Sequence, residues 1–341
     1  CIFCNQKKIT NTSTNTKAKD VEESIERYLS YFWKDLKIEL AFYGGSFTAI
    51  DMDLQKELLE VPYKYKEKGI IQEIRLSTRP DAINREILDN LKRYKVDTIE
   101  LGVQSLDEDV LMASEREHGK DDVYKAVDLI KEYGFNLGLQ MMVGLPMDSI
   151  KKSIYTAKEF IKLQPDLVRI YPTLVIKDTN LALKYANKEY KSLTVKEAID
   201  ICTILLILFY IENINVIRVG LQPTENIQLG MDVIAGPFHP AFRQLVESNI
   251  YLIALDDFFT SKRYNPNRKL ITLKANKSMI SSIAGQKSSN IEYFKDKYKF
   301  NRIRILAEDI SKDEIIILAD DMMDRFNLRN WMERFIINLD L

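Results

Sequence analysis

Cysteine and histidine are scarce in this sequence, with three Cys and two His among 341 residues. Three cysteines cannot build a disulfide framework, and Cys202 sits inside the apolar run 201–211 (ICTILLILFYI), so the setting expected is reducing and cytoplasmic. That run falls well short of the ~20 apolar residues a membrane span needs and is expected to be a core helix. No signal-peptide pattern opens the sequence, and no membrane partner is expected. A formal charge of −1 excludes a chain that coats polyanions along its whole length. Low-complexity tracts are absent too.

Present instead is a regular alternation. Short β-rich runs at 38–45, 73–80, 98–105, 137–146, 167–173 and 215–223 are separated by amphipathic stretches such as 20–34, 52–68, 121–133 and 150–163. A βα repeat of this kind builds parallel strands, as an open doubly wound sheet or a (β/α) barrel, and gathers function at the carboxyl ends of the strands. Small and polar residues crowd those ends: Gly44-Gly45-Ser46, Ser77-Thr78-Arg79-Pro80, Gln104-Ser105, Gly144-Leu145-Pro146 and Tyr171-Pro172.

The sequence begins Cys1-Ile2-Phe3-Cys4. A CxxC pair can be half of a zinc site, a redox dithiol or part of an iron–sulfur ligand set. Zinc would need two more ligands, and His118 and His239 lie in separate segments, the first expected as a solvated loop residue and the second as structural. A redox dithiol would follow a strand and open a helix, whereas polar loop follows Cys4.

At this point the sequence resembles the radical S-adenosylmethionine (SAM) superfamily, whose CxxxCxΦC motif has Cys1-Ile2-Phe3-Cys4 as its last four positions here. The resemblance places the first cysteine four residues before Cys1, outside this sequence, together with the first strand. AFYGGSFTAI, STRPDAI, IELGVQSLD, LGLQMMVGLP and VRIYP follow in the family's order. They look most like the branch containing the catalytic subunit of the elongator complex and its bacterial relatives, over Cys1 to about Val246.

The resemblance implies a partial (β/α) barrel, a [4Fe-4S] cluster held through Cys1 and Cys4, and SAM cleaved to a 5'-deoxyadenosyl radical with electrons from a flavodoxin or ferredoxin type donor. It implies that Gly44, Gly45 and Ser46 hold the methionine end of SAM. Ser77 and Arg79 lie at the end of the next strand, where Arg79 could pair with the carboxylate through its planar fork or simply cap a helix. Glu100 and Gln104 could accept from the ribose, or Glu100 could be an interior carboxylate bonded to a neighbour. Met142 and Gly144 would flank the adenine. Too few residues follow the barrel for the acetyltransferase domain of elongator-type relatives, so an acetyl-CoA step is not carried over.

Charge is unevenly spread. Residues 262–304 hold twelve Lys/Arg against Glu292 and Asp296, a net of +10 that leaves −11 elsewhere. The expected division is a barrel at 1–250, a basic linker at 251–268 and a small α+β domain at 269–341. Within it, 269–307 reads as strand, helix, Gly285-Gln286-Lys287-Ser288 loop, helix, strand, which resembles the KH RNA-binding unit with Ser288 in place of the second loop glycine. Gly285, Lys287, Ser288, Arg302 and Arg304 are its candidate RNA contacts, with tRNA the expected ligand. Met322, Phe326, Trp331, Met332, Phe335 and Leu339 fall near helical spacing and predict one C-terminal helix. The function expected is therefore radical SAM chemistry on RNA. A small-molecule substrate and a non-catalytic RNA-binding protein are the alternatives.

Overall fold

The structure is a computed structural model that describes residues 1–5, 16–31, 36–222, 227–262, 270–319 and 322–339. It divides into two compact units, residues 1–194 with 214–238, and residues 195–213 with 239–341.

In the first unit, strands β1 (Glu39–Phe42), β2 (Glu73–Thr78), β3 (Thr98–Gln104), β4 (Asn136–Val143) and β5 (Leu167–Pro172) follow the expected runs. After a short β6 (Val175–Ile176), β7 (Asn215–Val219) completes a six-stranded sheet in the order β1-β2-β3-β4-β5-β7, with every pair parallel. The fold is a half-barrel, one of the parallel architectures that the βα repeat allows. Helices α1 (Ala18–Leu29), α2 (Met52–Glu67), α3 (Arg85–Arg93), α4 (Glu108–Ala113), α5 (Lys120–Glu132), α6 (Ile150–Lys162) and α7 (Asn180–Ala186) intervene. Several start on a side-chain oxygen that accepts a first-turn N–H, from Asn84, Asp107, Ser149 and Thr179, which satisfies donors the helix itself cannot.

The strands read as two-sided. One face carries Ile74, Leu76, Ile99, Leu101, Leu139 and Ile170, all fully buried. The other carries Arg75, Ser77, Glu100, Gln140, Arg169 and Tyr171, and this polar face lines the inside of the half-barrel. Period-two alternation delivers both sets from the same strands. Strand β8 (Val233–Ala235) pairs antiparallel with β6 close to the strand ends.

The second unit contains α8 (Val195–Ile211), which is the expected home of the apolar run, and α9 (Phe242–Ser261). Residues 251–261, expected as the start of a linker, instead continue α9, because Tyr251, Leu255, Phe258 and Phe259 give that stretch a buried helical stripe. Residues 263–268 of the expected linker lie outside the described residues. No helix among the described residues is long and apolar enough to cross a membrane.

The expected strand, helix, loop, helix, strand order then appears as β9 (Leu270–Ala275), α10 (Ile280–Ala284), α11 (Ser289–Tyr298) and β10 (Arg302–Ala307), with β9 and β10 parallel neighbours. Beyond it the single C-terminal helix is corrected. Residues 314–319 and 322–327 form β11 (Glu314–Ala319) and β12 (Met322–Asn327), and only then does α12 (Leu328–Asn338) begin. Phe326 is buried from a strand rather than a helix, a case where spacing alone misled. The second sheet runs β10-β9-β11-β12 and is mixed.

Asn290 holds the centre of this unit. Its Nδ2 donates to the carbonyls of Ser248, Ser282 and Ile283 at 2.9, 3.4 and 3.3 Å, tying α11 to α9 and α10. Asn290→Ala strands buried carbonyls and should lower stability by about 1–3 kcal/mol in urea or thermal unfolding, with Ser278→Ala, an exposed turn residue, as the silent control.

Candidate active site

Cys1-Ile2-Phe3-Cys4 is anchored through its apolar middle. Ile2 and Phe3 are buried with Val110, Leu145, Val175, Leu181 and Tyr190, and Cys4 and Met142 pack on the same cluster. The Ile2 N–H donates to the Ser114 carbonyl at 3.2 Å, and the Leu181 N–H donates to the Ile2 carbonyl at 2.8 Å. The α4 end and the α7 start thus grip the segment from two sides and leave the two thiols at its ends. Cys1 is exposed, Cys4 is half-buried, and neither forms a disulfide. Cys202 is fully buried in α8, where burial pushes its thiol up and out of ordinary reactivity.

Arg116, unremarked in the sequence, is the neighbour of Cys1. Its Nη1 donates to Cys1 Sγ at 2.8 Å, and its Nη2 donates to the Gly102 carbonyl on β3 and to His118 Nδ1. Its Nε is buried with no partner among the described residues. Burial brings the guanidinium down to about 10, with nearby Asp81 and Cys4 acting in the opposite sense. It stays a cation at neutral pH.

His118 is corrected from a solvated residue to a buried one, 3% exposed. Its Nε2 lies 3.1 Å from the Val103 carbonyl, so Nε2 carries the proton and Nδ1 accepts from Arg116. Burial, then the Arg116 charge, lower it to about 4, and the ring is neutral. The polar segment REHGKDD concealed this because the carbonyl that receives His118 lies on β3, 15 residues away in sequence. His239 is structural as expected, accepting the Ala241 N–H at 3.0 Å.

At the centre of the inner face Glu100 is fully buried and accepts five hydrogen bonds. They come from Tyr43 Oη (2.8 Å), Arg75 Nη1 (3.0 Å), Gln140 Nε2 (3.1 Å), and Arg169 Nε (2.6 Å) and Nη2 (3.0 Å). The carboxylate's roughly four lone-pair sites are filled by these donors. Of the two roles open to it, the geometry is that of the interior carboxylate. Burial opposes its charge, but the donors, Arg169 foremost, win and hold it below the usual carboxylate range.

The remaining rim residues are spread along the strand ends. Gly44, at φ +100°, turns the chain after β1, and a Cβ on Gly45 would meet nothing within 4 Å. Ser46 opens a short 3-10 turn, and its carbonyl accepts the Ala49 N–H. Ser77 stands beside Glu100 in register. Arg79 forms ion pairs with Asp81 at 3.0 Å and Glu117 at 3.3 Å, while its Nε has no hydrogen-bond partner among the described residues. Gln104, at φ +71°, folds back until its Nε2 would be 2.9 Å from a Cβ on Gly102. Gly144, at φ +77°, donates its N–H to Asp148 at 2.7 Å and accepts from the Tyr190 hydroxyl. The structure therefore brings Cys4, Met142 and Gly144 to one cluster with Tyr190, places Cys1 beside Arg116, and gathers Glu100 into a polar network of its own.

The radical SAM superfamily profile matches residues 1–158, and that of the radical SAM C-terminal domain matches residues 165–251. This chain belongs to the radical SAM superfamily. Among curated proteins it is similar to a tRNA uridine(34) acetyltransferase of Methanocaldococcus infernus, 30% identical over 188 residues, which are 48% of this chain and 35% of that protein. It is also similar to human Elongator complex protein 3, 28% identical over 192 residues, 50% of this chain and 35% of that protein. The matched region is thus about a third of each relative's length. Archaeal Methanocaldococcus infernus Elp3 with an N-terminal deletion shares the fold, with a TM-score of 0.56 and 20% identity over 92% of this chain and 71% of that one.

Radical SAM enzymes use a [4Fe-4S] cluster and SAM, which are the cofactors of this chain. The residues present fit the cluster in kind, because two thiols stand beside a buried guanidinium that offsets thiolate charge. Among the described residues no three His, Cys, Asp or Glu side chains converge on one point.

In the second unit Gly285 (φ +77°), Lys287 (φ +52°) and Ser288 (φ +64°) make a left-handed turn between α10 and α11 that exposes Lys287 and Ser288. A Cβ on Gly285 would fall 2.5 Å from Ser289 Oγ, so glycine is required there. Arg302 and Arg304 are exposed on the edge strand β10. Part of the +10 is offset by carboxylates outside the stretch: Lys297 pairs with Asp256, Lys274 with Glu308 and Lys262 with Asp324.

Glu100→Gln leaves Arg169 buried without its counter-charge and Arg75 with Glu39 alone, and should cost about 3–5 kcal/mol in urea unfolding. Because the folded-state pKa of Glu100 is lowered, its contribution is complete above the unfolded carboxylate pKa and fades as pH falls below it. The stability difference between wild type and Glu100→Gln should therefore shrink in acid.

Proposed function

We propose that this chain is the radical SAM core of an RNA-modifying enzyme with tRNA as substrate. The observation that carries the reading is the Cys1–Cys4 segment, pinned by Ile2 and Phe3 so that both thiols stand by Arg116 at the mouth of a parallel half-barrel. Cys1 and Cys4 would hold the cluster, with the third thiolate supplied from the upstream position that the resemblance implies. When bound, the cluster supplies the electron that cleaves SAM, delivered by a donor of flavodoxin or ferredoxin type. The reducing cytoplasm suits both the thiols and that donor.

The chain's own residues bind and orient. Gly44-Gly45 offers open backbone for the methionine end of SAM, and Arg116 holds a positive charge against Cys1. Met142, Leu145 and Tyr190 keep water from the apolar side of the cysteine segment. The names of the curated relatives and the exposed Lys287 loop beside edge-strand arginines support tRNA. Lys287 would follow the sugar-phosphate backbone, with Arg302 and Arg304 adding charge-assisted contacts.

Two measurements test this. Anaerobically reconstituted protein, extended upstream through the implied cysteine, should hold about four irons and turn SAM into 5'-deoxyadenosine. Cys4→Ala should abolish both, and Cys202→Ala neither. Gly45→Val should weaken SAM binding with the fold intact, because nothing lies within 4 Å of the added Cβ. Bound zinc with no iron would overturn the cluster assignment. For the substrate, tRNA affinity should fall steeply with added salt, and Lys287→Glu should weaken it far more than Lys151→Glu on α6. Ser288→Gly should preserve or improve binding, because Ser288 already holds a left-handed backbone that glycine adopts freely. Salt-insensitive or absent binding would favour a small-molecule substrate instead.

A further inference from the structure

Strand β7 carries an irregularity. Val216 is the partner of Val168 on β5, yet the next pairing is Arg169 with Arg218, so Ile217 is an extra residue in β7. Without it Ile217 would stand opposite Arg169, and Arg218 would turn toward the outer, apolar layer that Val219 occupies. The bulge thus aims Arg218 into the half-barrel, and bulges of this kind recur beside functional sites.

There Arg218 has no carboxylate partner among the described residues. Arg75 is matched by Glu39 and Glu100, and Arg169 by Glu100, whose acceptor sites are full. The Arg218 side chain is half-buried and has no hydrogen bond or ion pair among the described residues. It sits in register with Arg169, one strand spacing of about 4.8 Å away, an arrangement of like charges that disfavours the empty site. An anion placed between them relieves it.

The position also separates this cation from the SAM site. Strands β1 and β7 are the two edges of the sheet, five spacings apart, and Gly44-Gly45 follow β1. Arg218 stands near the carboxyl end of β7, close to the rim formed by Tyr171 on β5. We infer that Arg218, steered inward by the β7 bulge, is the binding residue for an oxyanion of the substrate, a phosphate or a carboxylate, on the side of the half-barrel opposite Gly44-Gly45. This rests on the radical SAM reading of the first unit. On the tRNA reading the oxyanion is a backbone phosphate next to the nucleoside being modified. An arginine suits it because its planar fork meets two oxygens at once.

The test is calorimetric titration of the chain with inorganic phosphate and, separately, with acetate, which needs neither cluster nor SAM. Arg218→Gln should weaken one of the two anions by about tenfold, and Arg218→Lys, which keeps the charge and loses the fork, should fall between it and wild type. Phosphate as the affected anion identifies a phosphate-bearing substrate, and acetate a carboxylate-bearing one. Lys287→Glu should leave that loss unchanged, and circular dichroism of Arg218→Lys checks the fold. Equal affinity for both anions in wild type and Arg218→Gln overturns the assignment, as does loss of SAM binding in Arg218→Gln, which would place the residue in the cofactor site. Failure to form 5'-deoxyadenosine would sink the proposed reaction and leave this anion measurement standing.

Discussion

One buried carboxylate organises the inside of the half-barrel. Glu100 on β3 draws Tyr43 from the end of β1, Arg75 from β2, Gln140 from β4 and Arg169 from β5 onto two oxygen atoms. A charge in that position tolerates only a nearly complete set of donors, because an ionised group out of water costs several kcal/mol unless it is paired and hydrogen-bonded. Five strands are therefore held in one relative register by a single side chain. Gly138 shows how tight the fit is, since a Cβ there would lie 2.6 Å from Glu100 Cγ.

That fixed register matters to the site because the strands present their functional residues at their ends. Two local irregularities refine it. The extra residue Val103, between the pairings Gly102–Gln140 and Gln104–Met141, lets Gln104 fold back over Gly102 with a left-handed backbone, and Ile217 in β7 turns Arg218 inward. Arg116 then reaches back from the loop after α4 to the Gly102 carbonyl and to Cys1, so Cys1 is linked through one guanidinium to the strand that carries Glu100.

The second unit follows a different principle. Its centre is apolar and aromatic, with Phe259 packed edge-on against Phe294 and Phe300 at 5.4 and 5.3 Å, and its polar order comes from Asn290 tying three segments by their carbonyls. The lysines counted together as a basic stretch are not equivalent. Several lie against a carboxylate that is distant in sequence, such as Lys297 with Asp256 and Lys262 with Asp324, whereas Lys287 at the α10–α11 turn and Arg302 and Arg304 on β10 are exposed.

What the sequence determined by itself was whatever is written in local period and spacing. The six parallel strands, the apolar α8 with its inert Cys202, the strand–helix–loop–helix–strand unit at 270–307 and the cysteine pair with its ordered strand-end motifs were all legible, because alternation, turn chemistry and ligand spacing act over a few residues. Tertiary structure alone decided the rest. His118 was buried against the Val103 carbonyl of β3, residues 251–261 of the expected linker continued α9, and residues 322–327 became a strand because β11 offered them a pairing edge. Arg116 beside Cys1, Arg169 on Glu100 and Arg218 turned inward by one extra residue depend on partners 115, 69 and about 50 positions away. Charge pairing and backbone irregularity at such separations leave no periodic trace in the sequence, since their energy arises only when the fold has already brought the groups together.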